Sequence, residues 1–215
     1  MENTAYNIAE VLLSIKAIAL NAKKPFRYAS GILSPIYCDN RLVMSYPIAR
    51  AKIIDAFVNA IKENNIQYDV ICGIATAGIP HAAFLADKLN KPMIYVRSEA
   101  KDHGKENLVE GKLLPGQKVL IIEDHISTGG SSLKAIAGVR FQGGIVDVCL
   151  AVSTYEMKKA EQGFIDAKCK LITMTNFTSI IEQAAHKKYI TPEEKNIALD
   201  WKSDTVAWGK KHGFE

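Results

Sequence analysis

The run Val119-Leu120-Ile121-Ile122-Glu123-Asp124-His125-Ile126-Ser127-Thr128-Gly129-Gly130-Ser131-Ser132 constrains the fold more than any other stretch of this chain. Residues 119 to 122 are apolar without alternation, as expected of a strand covered on both faces, and such strands belong to parallel sheets packed between helices. The Ser/Thr/Gly cluster that follows opens an apolar-periodic helix near Ser132. At such a junction the first N–H groups of the helix lack helical partners, glycines let the main chain approach an anion, and hydroxyls add donors. A phosphate fits there. Glu123 and Asp124 cannot bind that phosphate, because like charges repel. One step back, at the strand's end, they can accept hydrogen bonds from sugar hydroxyls or hold a divalent cation. An ordinary strand-to-helix turn explains Gly129 and Gly130 but gives no reason for paired acids beside a hydroxyl-rich turn. Gly-x-Gly-x-x-Gly and Gly-Lys-Ser/Thr are both absent, which argues against a dinucleotide or nucleoside triphosphate loop.

The rest of the chain extends the same pattern. Apolar periodicity predicts helices near 6–20, 48–64, 79–89 and 132–142, and strands near 69–74, 93–97, 118–123, 145–153 and 169–174. Strand and helix alternate through the middle, which predicts an α/β fold with a mainly parallel central sheet flanked by helices, its ligands lying beyond the carboxyl ends of the strands. Gly143-Gly144 is a helix stop, and Thr191-Pro192-Glu193-Glu194 is a capping box with Pro at the first helical position. At 215 residues, with no repeat or long linker, one domain is expected.

Composition narrows the function classes. No apolar stretch approaches the ~20 residues of a membrane span, and Ala9 to Leu20 is interrupted by Glu10 and Lys16 in the manner of an amphipathic helix, not a signal peptide. A cytoplasmic protein is expected. Cys38, Cys72, Cys149 and Cys169 are scattered without a C-x-x-C pair, so reduced thiols are expected. The formal charge of +4 is not gathered into a basic block, and suits anionic small molecules better than a nucleic-acid backbone. Among the histidines, His81 at a helix start reads as packed or capping, His186 and His212 as solvated, and His125 as facing away from the phosphate.

Three further stretches break the regular pattern. Gly73-Ile74-Ala75-Thr76-Ala77-Gly78 again places small residues between a strand and a helix, and serves either close helix packing or a second anion nest. Arg97-Ser98-Glu99-Ala100-Lys101-Asp102-His103-Gly104-Lys105-Glu106-Asn107 reads either as a solvated connector or as a loop that gathers Arg97, Lys101, His103 and Lys105 over a departing anion. Phe26 to Arg41 is dense in turn residues, aromatics and cations. It fits a hairpin packed on the core, or a site where a flat anionic ring lies against Tyr37 while hydroxyls, amides and Arg41 address its edge.

Taken together these residues resemble the type I phosphoribosyltransferases, whose donor signature is two acids followed by Thr-Gly-Gly-Ser. Over nearly the whole chain the resemblance is to their orotate-using branch. Ser30-Gly31 with Ser34-Pro35 and a following aromatic matches its base segment, and Arg97 with Lys101-Asp102-His103-Gly104 matches its catalytic loop. Ser127 stands where purine salvage enzymes usually carry an Asp. The resemblance implies the type I phosphoribosyltransferase fold, a single domain over 1–215, with residues 1–45 contributing to a small N-terminal base-binding hood. It implies pentosyl transfer from 5-phosphoribosyl 1-pyrophosphate (PRPP) to N1 of orotate, giving orotidine 5′-monophosphate and pyrophosphate in pyrimidine (UMP) biosynthesis.

By the same resemblance, Thr128, Gly129, Gly130, Ser131 and Ser132 receive the 5′-phosphate, and Ser127 belongs to the same PRPP-binding set. Ala75, Thr76, Ala77 and Gly78 receive the pyrophosphate with Arg97, Lys101, His103 and Lys105. Glu123 and Asp124 grip the ribose. Ser30, Gly31, Tyr37, Arg41 and Thr128 hold orotate, and Lys101, His103, Arg97 and Asp124 carry catalysis. Mg²⁺ is bound mainly through PRPP, with Asp124 reaching it through water, and a homodimer shares the loop across subunits. No nucleic acid or membrane partner is implied. Two departures stand out: Ser98 replaces a Lys that some members carry after the loop's Arg, with Lys105 as a substitute, and Ala29 replaces a Lys before Ser-Gly. The competing readings are transfer to another nucleobase, or a PRPP-sensing transcriptional regulator, which would gain a basic nucleic-acid surface and lose the loop.

Overall fold

The structure, a computed structural model, describes residues 2–28, 31–98 and 108–214. Its first helix, α1 (Glu2–Ser14), stops short of the helix predicted over 6–20. The Ser14 hydroxyl turns back to the Val11 carbonyl (2.8 Å), and Lys16 takes a left-handed conformation (φ 58°) that a right-handed helix cannot continue through. The predicted last turn is instead strand β1 (Ile18–Leu20). Then come β2 (Phe26–Arg27), β3 (Leu33–Ser34) and β4 (Ile36–Cys38). β2 and β3 pair antiparallel as the expected hairpin, and β4 pairs antiparallel with β1. A 3-10 turn, Asn40–Ser45, leads to α2 (Pro47–Glu63), whose Ile53, Ile54, Phe57, Ala60 and Ile61 are buried at helical spacing.

The sheet then forms as the sequence predicts. In chain order it is built by β5 (Val70–Ile74), α3 (Gly78–Leu89), β6 (Met93–Val96), β7 (Val109–Glu110), β8 (Lys118–Ile126), α4 (Gly130–Phe141), β9 (Ile145–Thr154), α5 (Lys158–Asp166) and β10 (Lys170–Thr173). Among the described residues six strands lie in the order β10-β9-β8-β5-β6-β7, parallel throughout except for the antiparallel β6–β7 pair. All five residues of β5 are buried, and Ile121 of β8 faces Cys72 on one neighbour and Cys149 on the other. From β5 the chain moves outward through β6, then returns to β5's other side as β8 and moves outward again. The order therefore reverses between β5 and β8, and at such a point the two carboxyl-end loops diverge and open a crevice for ligands.

The chain closes with α6 (Phe177–His186), α7 (Pro192–Asp200) and α8 (Trp208–Lys211). It divides into two compact units, Met1–Ala49 with Thr175–Glu215, and Arg50–Met174. Residues 1–45, expected as a hood, thus share their unit with the C-terminal helices. There α6 lies along α1, tied by Tyr6 to Glu182 (2.5 Å) and Lys187 to Glu10 (2.6 Å). Trp201 and Trp208 are buried, each indole N–H donating at 2.8 Å, to the carbonyls of Leu33 and Ile197. The capping box at Thr191 and Glu194 is present. His186 is exposed as expected, whereas the reading of His212 as solvated is corrected: it bonds Asp200 at 2.8 Å and packs 5.4 Å from the Trp208 ring. Among the described residues no helix is long and apolar enough to cross a membrane.

Candidate active site

β8 runs to Ile126, past the predicted end at 123, because β9 stays beside it and pairs Glu123 with Ala151, His125 with Ser153 and Ile126 with Thr154. The acid pair is therefore strand, and the two-residue period sends its side chains to opposite faces. Glu123 is buried, with one oxygen accepting from the Asp124 backbone N–H (3.1 Å) and the other from the Ser132 hydroxyl (3.1 Å). Burial, and next the charge of Asp124, push the Glu123 carboxyl well above the usual carboxylate range. Asp124 is half-buried and is the more accessible acid.

This geometry has a pH signature. A carboxyl whose folded pKa exceeds its unfolded one holds its proton more tightly in the fold, so it subtracts stability as pH rises through the ordinary carboxyl range toward the raised folded value. Glu123→Gln removes that loss. The thermal midpoint of E123Q relative to wild type should climb as pH rises above the ordinary carboxyl value of 4.5. A difference that falls over this range would show that Glu123 is instead charged and favourably paired.

The loop after β8 turns on Gly129, which is left-handed (φ 78°) and stands as N-cap of α4. Leu133 N–H donates to the Gly129 carbonyl (2.9 Å), so the N–H groups of Gly130, Ser131 and Ser132 lie ahead of the helical ladder. The helix thus starts at Gly130, a little before the predicted start near Ser132. Thr128, Gly130 and Ser131 are exposed, Ser127 is half-buried, and the Ser132 hydroxyl is turned inward onto Glu123. On the neighbouring strand, Ala75, Thr76 and Ala77 lead into α3, with a cis peptide between Ala75 and Thr76. Neither α3 nor α4 has a side-chain cap, in contrast to α6 and α7, which are capped by Asn176 and Thr191. A Cβ on Gly78 would stand 2.6 Å from the Ile122 carbonyl oxygen, and one on Gly73 2.8 Å from Ile79 Cα. Close packing alone therefore requires both glycines, and it seats the start of α3 directly on the acid-bearing strand.

Arg97 follows β6. Its N–H donates to the Leu108 carbonyl (2.9 Å) and its guanidinium lies 3.4 Å from Glu110. Lys101, His103 and Lys105 lie outside the described residues, as does Ser30. Gly31 is left-handed (φ 86°), its N–H on the Tyr28 carbonyl at 2.8 Å. The exposed Tyr37 ring lies 6.0 Å from that of Phe26. Arg41 holds Asp39 through two bonds (2.6 and 2.9 Å), which keeps the Asp39 carboxyl below its usual range and presents Arg41 to any ligand as half of an ion pair.

The remaining titratable groups are structural. His125 Nδ1 bonds the Ser153 hydroxyl (2.8 Å) and its ring meets the edge of Tyr155 at 4.1 Å, and burial lowers its pKa to about 3. His81 is packed and lowered to about 4 by burial, and the buried Cys72 thiol is pushed up to about 12. All four cysteines are free thiols. One residue that the sequence reading passed over is Lys134, whose ammonium donates to the Ser98 carbonyl at 3.4 Å. Its only sequence signal is the helical i, i+3 spacing from Ser131. Among the described residues there is no group of three or more His, Cys, Asp or Glu side chains able to hold a metal. A divalent ion at Asp124 would take most of its oxygens from ligand and water, which is the habit of Mg²⁺.

Against known proteins, the phosphoribosyl transferase domain family matches residues 45–187. The chain is 50 % identical over 206 residues to the orotate phosphoribosyltransferase of Coxiella burnetii, covering 96 % of this chain and 99 % of that one. It is 47 % identical over 210 residues to that of Enterococcus faecalis, covering 98 % and 100 %. The crystal structure of orotate phosphoribosyltransferase from Aeropyrum pernix matches with a TM-score of 0.75 at 28 % identity, over 83 % of this chain and 98 % of that one. A likeness that runs end to end in both relatives, on a fold that sets the acid pair and its glycine turn at the sheet's reversal point, makes the chain a member of the orotate phosphoribosyltransferase family.

Proposed function

We propose that this chain transfers the phosphoribosyl group of PRPP to N1 of orotate, forming orotidine 5′-monophosphate and pyrophosphate in pyrimidine biosynthesis. The observation that carries this reading is the pair of adjacent carboxyl-end loops, Ala75–Gly78 after β5 and Ser127–Gly130 after β8, at the point where the strand order reverses. Two anion-binding loops suit a donor with phosphate at both ends, and the more accessible acid, Asp124 near the end of β8, suits its ribose.

In the reaction the bond from the anomeric carbon to pyrophosphate breaks ahead of the new bond to N1, because the ring oxygen shares the positive charge. Orotate N1 supplies the electron pair of the new bond and loses its proton, and pyrophosphate leaves with the electrons of the old one. No protein nucleophile is needed. The chain's work is to align two anions and to stabilise charge on the leaving group. Arg97, Lys101 and Lys105 supply positive charge there, and His103 donates a proton to the departing oxygen. Bound with PRPP, Mg²⁺ would neutralise pyrophosphate charge, with Asp124 oriented to it through water. Gly31, Tyr37 and the Ser30 segment take the base. A homodimer that shares its loop across subunits, working in the cytoplasm, completes the reading.

Loss of orotate absorbance with purified protein, PRPP and Mg²⁺ tests it, alongside uracil, hypoxanthine, guanine, adenine and xanthine. Turnover of orotate alone, abolished by a chelator, is expected. Turnover of another base would overturn the base assignment, and silence with every base despite donor binding would turn the chain into a regulator.

A further inference from the structure

Helix α4 touches both roots of the segment that carries Lys101 and His103. At one root, Lys134 donates to the Ser98 carbonyl (3.4 Å). At the other, the Leu108 side chain lies over Gly138, its Cδ1 3.3 Å from where a Cβ would stand. The roots themselves are joined by the Arg97 N–H on the Leu108 carbonyl (2.9 Å), and Arg97 also meets Glu110 on β7. α4 is the helix into which the loop Ser127–Gly130 leads, and its first N–H groups lie ahead of the helical ladder. Lys134 lies three residues after Ser131, so both occupy one exposed helix face about 5 Å apart along the axis. No carboxylate pairs with Lys134 among the described residues, so its charge is directed to a backbone carbonyl at the segment's start.

We propose that Lys134 is a positioning residue of the transfer site. By holding Ser98 to α4, it fixes Arg97 and the start of the cationic segment against the same helix that takes the donor phosphate. The assignment rests on the reading of the chain as a PRPP-using transferase. A lysine suits this part because its ammonium reaches across on a flexible stem and needs only one acceptor, leaving its other N–H groups to solvent. Misplacing a catalytic segment's root by a fraction of an ångström is costly because alignment supplies much of the catalysis.

Titration of the Mg²⁺ complex of PRPP into Lys134→Met should show a dissociation constant about tenfold weaker than wild type, with kcat/KM for PRPP reduced to match. KM for orotate at saturating PRPP should stay within about twofold, and Lys134→Arg should restore most of the loss. In an Arg97→Met background the Lys134→Met effect should shrink, because both act through one root. Unchanged PRPP affinity, full additivity with Arg97→Met, or equal loss in Lys134→Arg and Lys134→Met would overturn the assignment. The binding arm decides it even if orotate proves not to be the acceptor, since that failure shows in the wild-type base assay alone.

Discussion

Lys101→Ala should lower kcat by on the order of 10²-fold or more while KM for orotate stays close to wild type. The reason lies in where charge changes during the reaction. On the proposed placement, the N–H groups at the start of α4 would meet the end of the donor whose phosphate keeps its charge throughout, and so would bind ground state and transition state alike and contribute affinity without acceleration. Negative charge grows on the pyrophosphate as its bond to the sugar breaks, so a cation placed there strengthens its hold only as the reaction proceeds. Lys101 and His103, four and six residues after Arg97, are the candidates in this chain. Steady-state turnover with saturating substrates is the measurement. A loss of only a fewfold would move the burden to Arg97 and His103.

The same variant tests whether the loop serves a partner's site. Mixed with Asp124→Asn, itself expected to be nearly inactive, Lys101→Ala should recover activity if each site combines one subunit's acid pair with the other's loop. In a random exchange, half the dimers are mixed and each holds one site free of both substitutions, so recovery should approach about a quarter of wild type. No recovery after verified subunit exchange would place the loop on its own subunit's site.

The strand, acid pair and glycine turn at the end of β8 were legible because such a junction leaves few sequence options. An unalternated strand, an acid pair and a glycine turn have to be contiguous, and contiguity is what a sequence displays. Long-range pairing is what hid the rest. Ile18 to Leu20 keep the helical apolar spacing of the segment before them, and become strand only because Ile36 to Cys38 lie alongside. Asp124 and His125 look like the start of a turn, and remain in β8 because Ala151 to Thr154 continue the ladder. The Lys134 tether joins residues 36 apart, and the bond between His212 and Asp200 joins two helices; neither leaves a pattern in composition or period. The N-terminal unit was half legible, since its hairpin announces itself in turn residues while its dependence on α6 to α8 does not.

Gly78→Ala should destabilise the chain by about 2 kcal/mol and lower the thermal midpoint by roughly 4 to 8 °C, with loss of donor binding in whatever folds. The new methyl would stand 2.6 Å from the Ile122 carbonyl oxygen and 3.3 Å from both Cα and Oε1 of Glu123. None of the nearest obstacles can move freely. Ile122 and the Glu123 backbone are locked in the β8 ladder, and the Glu123 carboxyl is held by Ser132 and the Asp124 N–H. Relief must come from α3 lifting off the sheet, which carries Ala75 to Ala77 away from the acid pair and separates the two anion loops. Such a displacement, well under an ångström, should reduce kcat/KM for PRPP on the order of 10²-fold. Gly116→Ala is the control: Gly116, unlike Gly78, is left-handed (φ 82°) and has nothing within 4 Å of an added Cβ, so its substitution strains the backbone without any collision. It should lose about 1 kcal/mol and keep its kinetic constants. If Gly78→Ala matched Gly116→Ala in both stability and PRPP kinetics, the contact between the start of α3 and the acid strand would have no part in forming the donor site.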